Sequence, residues 1–184
     1  YTSFGTRWFD YDNDGWLDIA IANGAVSIEE TQARAGDPFP YKQRNQLFRN
    51  AGNGRLVEVT DQAGAAFELM EVSRGLAFGD LDNDGDTDLL LTNNSGPARV
   101  LINQVGQDMH WLGLRLLDRA GVRDMLGARV WVDRQGAPPL LRRVHADGSY
   151  ICANDPRVLV GLGTLESVER IRVEWPDGSR EVFL

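Results

Sequence analysis

The sequence predicts an all-β protein, with propeller-type blades followed by a small β-sandwich-like domain. Short apolar runs bounded by Gly, Asn, Asp and Pro recur along the chain, which is typical of strands. An acidic loop occurs twice with the same spacing, and self-similar blocks of short strands indicate a repeat architecture such as propeller blades. The C-terminal part carries several alternating runs and no long helical segment, which favours a sandwich.

Each acidic loop lies between two predicted strands. The first loop follows residues 6–9 and precedes residues 19–23, and the second follows residues 75–78 and precedes residues 89–93. The apolar runs after the loops lack alternation, so we expect both of their faces to be covered, as in a sheet stacked between neighbouring sheets. Further strands are predicted over residues 46–50, 55–60 and 98–103.

Residues 25–44 interrupt this pattern and predict one short helix. Ser27 followed three residues later by Glu30 is a capping-box signature, and Gly36 is a suitable stop.

The pattern changes at about residue 106, beyond which no acidic loop recurs. The sequence "PDGS" at residues 176–179 predicts a turn between the last two strands, because Pro presets one dihedral angle and Gly accepts positive φ. We therefore predict a repeat region over residues 1–105 and a separate β domain over residues 106–184. The predicted strands of the second domain are residues 111–118, 128–134, 140–146, 157–163, 170–175 and 180–184.

The two loops read DYDNDGWLD, residues 10–18, and DLDNDGDTD, residues 80–88, an offset of 70 residues (position 80 against position 10). Carboxylates at this density repel one another, and neither loop contains a Lys or Arg. Oxygen ligands at positions 1, 3, 5 and 9, with Gly at position 6 for a sharp turn, suit a hard cation. Calcium fits better than magnesium, which demands a tighter octahedron, and zinc would require Cys or His.

Two calcium sites are therefore predicted. The alternatives are Asp/Asn/Gly turns without metal, and an EF-hand, which would need Glu at position 12, where the chain has Ile21 and Leu91, and flanking helices. The predicted ligands are the side chains of Asp10, Asp12, Asp14 and Asp18 with the carbonyl of Trp16, and the side chains of Asp80, Asp82, Asp84 and Asp88 with the carbonyl of Asp86. Whether either ion keeps an open position for a partner's carboxylate stays open.

Composition excludes several classes of partner. A formal net charge of −8 without a basic cluster argues against nucleic acid, and no apolar run is long enough to span a membrane. The single cysteine, Cys152, excludes an internal disulfide. Because the chain begins with Tyr1, we expect it to be a piece of a longer protein.

The segments "FDYDNDGWLDIAIANG" and "FGDLDNDGDTDLLLTNNSG" resemble FG-GAP/VCBS repeats, the calcium-loop blades of integrin-type β-propellers. "GARV", "GSYICANDPRVLVGLG" and "VEWPDG" resemble the ASPIC/UnbV domain that follows such repeats in the cartilage acidic protein family. The family often has an aromatic residue where this chain has Val160. The resemblance implies a secreted, periplasmic or cell-surface protein, with the missing blades supplied by the rest of a longer chain or by another chain.

The favoured function is a calcium-binding, non-catalytic module that binds a protein or carbohydrate ligand or serves a structural role. The alternative is a calcium-dependent enzyme of natural-product biosynthesis of the enediyne type, for which His110, His145 and Cys152 are the conventional candidates.

The aromatic residues around the first loop have two interpretations. Trp8, Tyr11 and Trp16 flank the loop and could recognise a ligand, but we expect Trp8 and Trp16 to pack between blades. We expect Trp131 and Trp175 to lie in the core of the sandwich.

Overall fold

A computed structural model describes residues 1–184, and most of its regular secondary structure is β-strand. Its one α-helix, α1, spans Glu30–Arg34, and three short 3-10 helices span Thr60–Gln62, Ala65–Glu68 and Gly106–Asp108. The strands of the N-terminal part are β1 (Ser3–Phe9), β2 (Asp18–Asn23), β3 (Gln43–Arg44), β4 (Gln46–Asn50), β5 (Leu56–Glu58), β6 (Met70–Glu71), β7 (Ser73–Gly79), β8 (Asp88–Asn93) and β9 (Arg99–Leu101).

Two antiparallel sheets repeat the same hairpin. The first has the order β1-β2-β4-β5 and the second the order β7-β8-β9, and β3 pairs with β6 in a two-stranded sheet that the sequence did not predict. In both hairpins a serine hydroxyl donates to an asparagine Oδ1 at 2.8 Å, from Ser3 to Asn23 and from Ser73 to Asn93. The acidic loops connect β1 to β2 and β7 to β8, so the sequence repeat is also a structural repeat.

A shared apolar core joins these two sheets. Phe9 and Phe78 meet there with ring centroids 5.1 Å apart. Phe9 is the last residue of β1 and Phe78 is the last but one of β7, so the core anchors both hairpins just before their acidic loops. The buried members of this core are Phe9, Ala20, Ala22, Leu47, Phe67, Leu76, Phe78, Leu89 and Leu91.

The C-terminal part forms two sheets around a second core. Its strands are β10 (His110–Leu114), β11 (Arg129–Arg134), β12 (Ala137–Arg143), β13 (Val158–Gly163), β14 (Arg170–Glu174) and β15 (Arg180–Phe183). One sheet has the order β12-β11-β14-β15 and the other pairs β10 with β13. Val130, Val132 and Val160 are fully buried where the two sheets face each other, which is the expected sandwich arrangement.

Two expectations about local structure are wrong. Ser27 makes no capping box, because α1 begins after Glu29 and no side chain caps it. Trp131 does not lie in the sandwich core: alternation along β11 turns Val130 and Val132 inward, so Trp131 points outward beneath the guanidinium groups of Arg129 and Arg172, each 5.7 Å from its ring. Trp175 does pack against the core.

The two strands that follow the acidic loops differ in how they are covered. Every residue of β2 is buried or half-buried, whereas Leu90 of β8 is 38% exposed, so the expectation of cover on both faces is wrong for β8 within this chain. The sheets form no closed ring, so the propeller stays a prediction, as does the domain boundary between residues 105 and 106. None of the helices has the length and apolar character that crossing a bilayer requires.

Candidate metal centres

The first acidic loop is a tight turn between β1 and β2. Phe9 pairs with Asp18 at the end of the hairpin, so residues 10–17 project from the sheet. Asn13 and Gly15 adopt positive φ, 54° and 93°, which lets the chain fold back on itself within a few residues. The second loop repeats this geometry at Asn83 and Gly85, with φ of 62° and 94°.

Three carboxylates converge in each loop. Oxygen atoms of Asp10, Asp12 and Asp18 lie within 4.8 Å of one another, and the equivalent oxygens of Asp80, Asp82 and Asp88 do the same. Strands rather than helices flank both loops, so neither is an EF-hand.

The remaining predicted ligands do not join these clusters through their carboxylates. Oδ1 of Asp14 accepts the N–H of Trp16 at 2.8 Å, and Oδ1 of Asp84 accepts the N–H of Asp86 at 3.2 Å. These bonds hold the turn in which Trp16 and Asp86 were predicted to offer their carbonyls. The structure thus brings together three of the four predicted side-chain ligands in each loop.

Two asparagines that were not predicted from the sequence bind the ninth-position aspartate of each loop through their backbone N–H groups. The N–H of Asn50 donates to Oδ1 of Asp18 at 2.7 Å, and the N–H of Asn103 donates to Oδ1 of Asp88 at 2.8 Å. Each asparagine is the last residue of a strand-like segment, "QLFRN" (46–50) and "VLIN" (100–103), and this shared ending was the available signal. These bonds orient the ninth-position carboxylates toward the cluster.

Burial makes the first loop costly to ionise. It raises the pKa of Asp10 to about 7, although Arg142 lowers it and the neighbouring aspartates add to the rise. Burial also raises the pKa of Asp18 to about 7, against the lowering effect of the N–H groups of Asn50 and Tyr11. The pKa of Asp12 is raised by burial and then by Asp14.

The second loop contains a carboxylate whose burial has no compensation. Asp86 is 1% exposed, and neither of its oxygens has a hydrogen-bond partner. Burial raises its pKa to about 7, with further contributions from Asp84 and Asp88.

Two arginines from elsewhere in the chain approach the first loop, which the local sequence did not indicate. Nε of Arg49 lies 2.8 Å from Oδ2 of Asp12, and Nη2 of Arg142 lies 3.4 Å from Oδ2 of Asp10. The first loop, which contains no Lys or Arg of its own, is therefore partly compensated by arginines from outside it. In the second loop no arginine pairs with a carboxylate. Oδ2 of Asp84 accepts a hydrogen bond from the side-chain amide of Gln107 at 2.9 Å.

The donor set fits a hard divalent cation. The clustered ligands are carboxylate oxygens, and Oδ1 of Asp10 is buried without a hydrogen-bond partner, as expected of an oxygen reserved for a metal. Asp10, Asp12 and Asp18 would hold one ion, and Asp80, Asp82 and Asp88 a second. Such ions would supply the positive charge that the second cluster lacks and that Arg49 and Arg142 provide only in part to the first.

The C-terminal sandwich packs directly on the first loop. The N–H of Gly161 donates to Oδ2 of Asp10 at 3.2 Å, and the N–H of Gly163 donates to the carbonyl of Asn13 at 2.8 Å. Nη2 of Arg142 also donates to the carbonyl of Gly15 at 2.9 Å. The loop tip is therefore an intramolecular contact surface.

The sandwich also contacts the second loop. Arg157 donates to the carbonyl of Asp80 at 2.6 Å and to Oδ1 of Asn83 at 2.7 Å. The ring of Trp111 lies where a Cβ on Gly85 would stand, at 1.8 Å, so only glycine fits there. In the first loop a Cβ on Gly15 would lie 3.1 Å from the carbonyl oxygen of Gly161, so in both loops the sandwich lies close to a glycine.

The conventional catalytic candidates do not form a constellation. Nε2 of His145 lies 3.1 Å from Nη2 of Arg7, and its Nδ1 lies 3.2 Å from Oδ1 of Asp147. Cys152 instead packs against Gly75: a Cβ built on that glycine would lie 2.8 Å from Sγ of Cys152. His110 begins β10 and is exposed.

The aromatic residues beside the first loop are placed differently from one another. Tyr11 packs against the N-terminal core. We expected Trp8 and Trp16 to pack between blades. They are 53% and 41% exposed, so neither is packed between the sheets of this chain.

Comparison with known families agrees with this architecture. The model of the FG-GAP-like repeat matches residues 10–91, and the model named ASPIC and UnbV matches residues 118–184. The two matches fall in the segments that carried the resemblance and in the same order along the chain, which confirms the resemblance found in the sequence.

Individual relatives match nearly the whole chain. Cartilage acidic protein 1 of Homo sapiens is 28% identical over 176 residues, which cover 92% of this chain and 24% of the human protein. The protein of the same name from Xenopus tropicalis is 26% identical over 175 residues, covering 92% of this chain and 25% of that protein. The chain spans about a quarter of the length of these relatives.

Proposed function

We propose that this chain is a calcium-binding, non-catalytic module of an extracellular, periplasmic or cell-surface protein. The observation that carries the proposal is the pair of equivalent carboxylate clusters, each held between two strands by the same backbone geometry. A bound ion would neutralise the carboxylates, close the hairpin and stabilise the surface on which the sandwich rests. The match to FG-GAP-like repeats supports this role, and the name of the cartilage relatives supports an extracellular location.

The module would present its surface to a protein or carbohydrate partner and would be completed by further blades. An apolar groove beside the N-terminal core is open to solvent, with Phe9, Leu47 and Leu89 on its inner wall and Val100 and Val105 at its rim. Edge strands β5 and β9 are unpaired on one side, and natural sheets rarely leave such edges uncovered. We infer that this groove and these edges are covered by a blade from the remainder of a longer chain or from another chain.

Calcium binding is tested on metal-free protein by titration calorimetry and by thermal melts. We expect two calcium ions per chain, and a melting temperature that falls in chelator and recovers with calcium but not with equimolar magnesium. At about a hundredfold excess over Kd, each site would stabilise the fold by ~2.7 kcal/mol. For a chain of this size that corresponds to roughly 5–10 °C per site.

The stoichiometry is checked by variants. Asp82→Asn removes a carboxylate of the second cluster from an exposed position and should reduce binding to one ion. Glu166→Gln, an exposed acidic position outside both loops, is the matched control and should bind two ions. Identical melts in chelator and in calcium, together with no heat of binding, would refute the proposal.

A further inference from the structure

A cleft with an unusual concentration of arginine lies between the N-terminal sheets and the sandwich. It has a volume of about 530 Å³ and runs from β1 to the ends of β12 and β13. Asp10, Asp80 and Asp155 also line it. The cleft therefore carries a cationic excess in a chain whose formal net charge is −8. Its arginines are Arg7, Arg129, Arg142, Arg143 and Arg157.

Three of these arginines already have carboxylate partners. Arg129 pairs with Glu174, Arg142 with Asp10, and Arg157 with Asp155. Their charges are largely compensated within the chain. Two cations, Arg7 and Arg143, remain without a carboxylate partner.

Arg7 is partly buried in the wall of the cleft. Its guanidinium lies over the ring of Phe78 at 5.7 Å, its Nη2 donates to Nε2 of His145, and its buried Nη1 has no partner. Because arginine can only donate, Nε2 of His145 is an acceptor, so the hydrogen-bond network assigns the neutral ring with its proton on Nδ1, toward Asp147. His145 therefore takes a hydrogen bond from Arg7 without neutralising its charge.

Arg143 ends β12 and is exposed, with no hydrogen bond or ion pair to its side chain in the structure. It stands directly opposite Arg129 in the antiparallel pair of β11 and β12. Like charges opposed in this way repel each other. Glu174 relieves only the Arg129 side of that pair.

From these contacts we propose that the cleft is an anion-binding site, in which Arg7 and Arg143 bind an oxyanionic group, a carboxylate or sulfate, of a small molecule or a glycan. Guanidinium groups match planar and tetrahedral oxyanions through paired N–H donors. The exposed indole of Trp8 lines the same cleft and offers an apolar wall for the remainder of such a ligand. The site uses none of the clustered loop carboxylates as ligand contacts and does not require bound calcium.

Acidic groups near the two unpaired arginines oppose this role. Asp155 acts on Arg7 but is itself paired with Arg157. Asp147 is largely exposed and contacts His145, and its charge acts on both Arg7 and Arg143. It weakens the positive potential of the cleft without occupying it. Its removal should therefore strengthen anion binding, which is opposite to the effect of removing an arginine.

The test uses the whole chain and two probes, sodium sulfate and sodium glucuronate, at constant ionic strength. Arginine side-chain N–H resonances are followed by NMR during each titration, with glucose as the uncharged comparison. We expect saturable shifts with at least one of the two anions and none with glucose. Binding of sulfate indicates that the ligand is inorganic sulfate or a sulfated molecule. Binding of glucuronate indicates a sugar carboxylate.

Variants separate this site from general screening by salt. Arg143→Gln should weaken binding about tenfold, because one charge-assisted hydrogen bond is lost. Asp147→Asn should strengthen binding several-fold, and Arg55→Gln, an exposed arginine outside the cleft, should leave it unchanged. Arg7→Gln should act like Arg143→Gln, but Arg7 is partly buried, so the exposed variants decide the matter if Arg7→Gln fails to fold.

Linear, unsaturable shifts with both anions, or equal affinity of the wild type and Arg143→Gln, would overturn the proposal. Each titration is run in millimolar calcium and again in chelator. Because anion binding is measured without calcium as well, a failure of the calcium sites and a failure of the anion site give different results.

Discussion

Single carboxyl groups in the acidic loops are held in surroundings that oppose their ionisation. Asp10, Asp18 and Asp86 have pKa values raised to about 7, with burial as the largest cause in each case. Asp10 and Asp18 accept several N–H groups, whereas Asp86 has no hydrogen-bond partner. Buried charge without compensation is strongly unfavourable, so these residues link stability to pH and to metal.

In chelator, the free energy of unfolding should fall as pH rises from about 4 to about 7. An unfolded aspartate releases its proton near the ordinary pKa of 3.8, whereas these folded carboxyls keep theirs up to about 7. The folded state therefore binds more protons in that window, and raising the pH through it costs stability. Calcium should remove the trend, because it binds the ionised form. Chemical denaturation at a series of pH values measures both slopes.

Asp86→Asn isolates one contribution to that slope. The variant keeps the backbone carbonyl predicted to bind the ion but removes the buried, unpartnered charge. In chelator its melting temperature should exceed that of wild type at pH 8, by roughly 3 °C for each kcal/mol recovered, and equal it at pH 4. Asp133, whose pKa is lowered to about 2 by Arg172 and Arg170, acts in the opposite direction and is common to both proteins. Equal melting temperatures at pH 8 would contradict this account.

Among the elements, β13 packs its backbone directly against the first metal loop. A Cβ built on Gly161 would lie 2.4 Å from the carbonyl carbon of Asn13, closer than side-chain carbons approach backbone. Asn13 in turn donates from its amide to the carbonyls of Gly85 and Gly106, each at 3.2 Å. The first loop is thus held between β13 and the second loop.

Gly161→Ala should destabilise the protein by about 1–3 kcal/mol, because backbone rather than a flexible side chain blocks the added methyl group. It should also weaken calcium binding at the first site and spare the second. Gly113→Ala in the neighbouring strand β10 is the matched control, since its Cβ would meet the Trp111 side chain at 3.1 Å. Calorimetry and thermal melts distinguish the two variants, and equal effects would count against backbone crowding at Gly161.

Across the whole molecule, the two apolar cores are joined mainly around the metal loops. Asp10 and Asn13 bond to β13, and Arg157 bonds to the second loop. The backbone of Phe78 adds two hydrogen bonds at 3.0 Å: its N–H donates to Oδ1 of Asn154, and its carbonyl accepts from the N–H of Asp155. Whether the metal loops are ordered should therefore determine whether the two parts unfold cooperatively.

Removal of calcium should separate the unfolding of the two cores. In calcium we expect one cooperative calorimetric transition, because ordered loops keep the sandwich attached. In chelator the N-terminal core should unfold at a lower temperature than the sandwich, giving two transitions. Hydrogen exchange at β2 and β8, compared with β11 and β13, would assign each transition. A single transition in chelator, with exchange lost together in all four strands, is the contrary result.

The sequence by itself determined the strands, the repeat and the two loops. Alternation and short apolar runs are local properties, so every predicted strand is present with its bounds shifted by a few residues. The D-x-D-x-D-G-x-x-D spacing is also local, because it folds within nine residues, and it placed three carboxylates of each loop together. What local pattern could not supply was the short pair β3 and β6, whose partners lie far apart in the chain.

Only the tertiary structure decided what surrounds those loops. The hydrogen bond from Gly161 to Asp10 joins residues 151 positions apart, and Arg142 reaches the same carboxylate across 132 positions. The cleft that Arg7 and Arg143 line has the same origin. It depends on how the sandwich packs against the hairpins, and the free energy of that packing comes from contacts between segments remote in sequence.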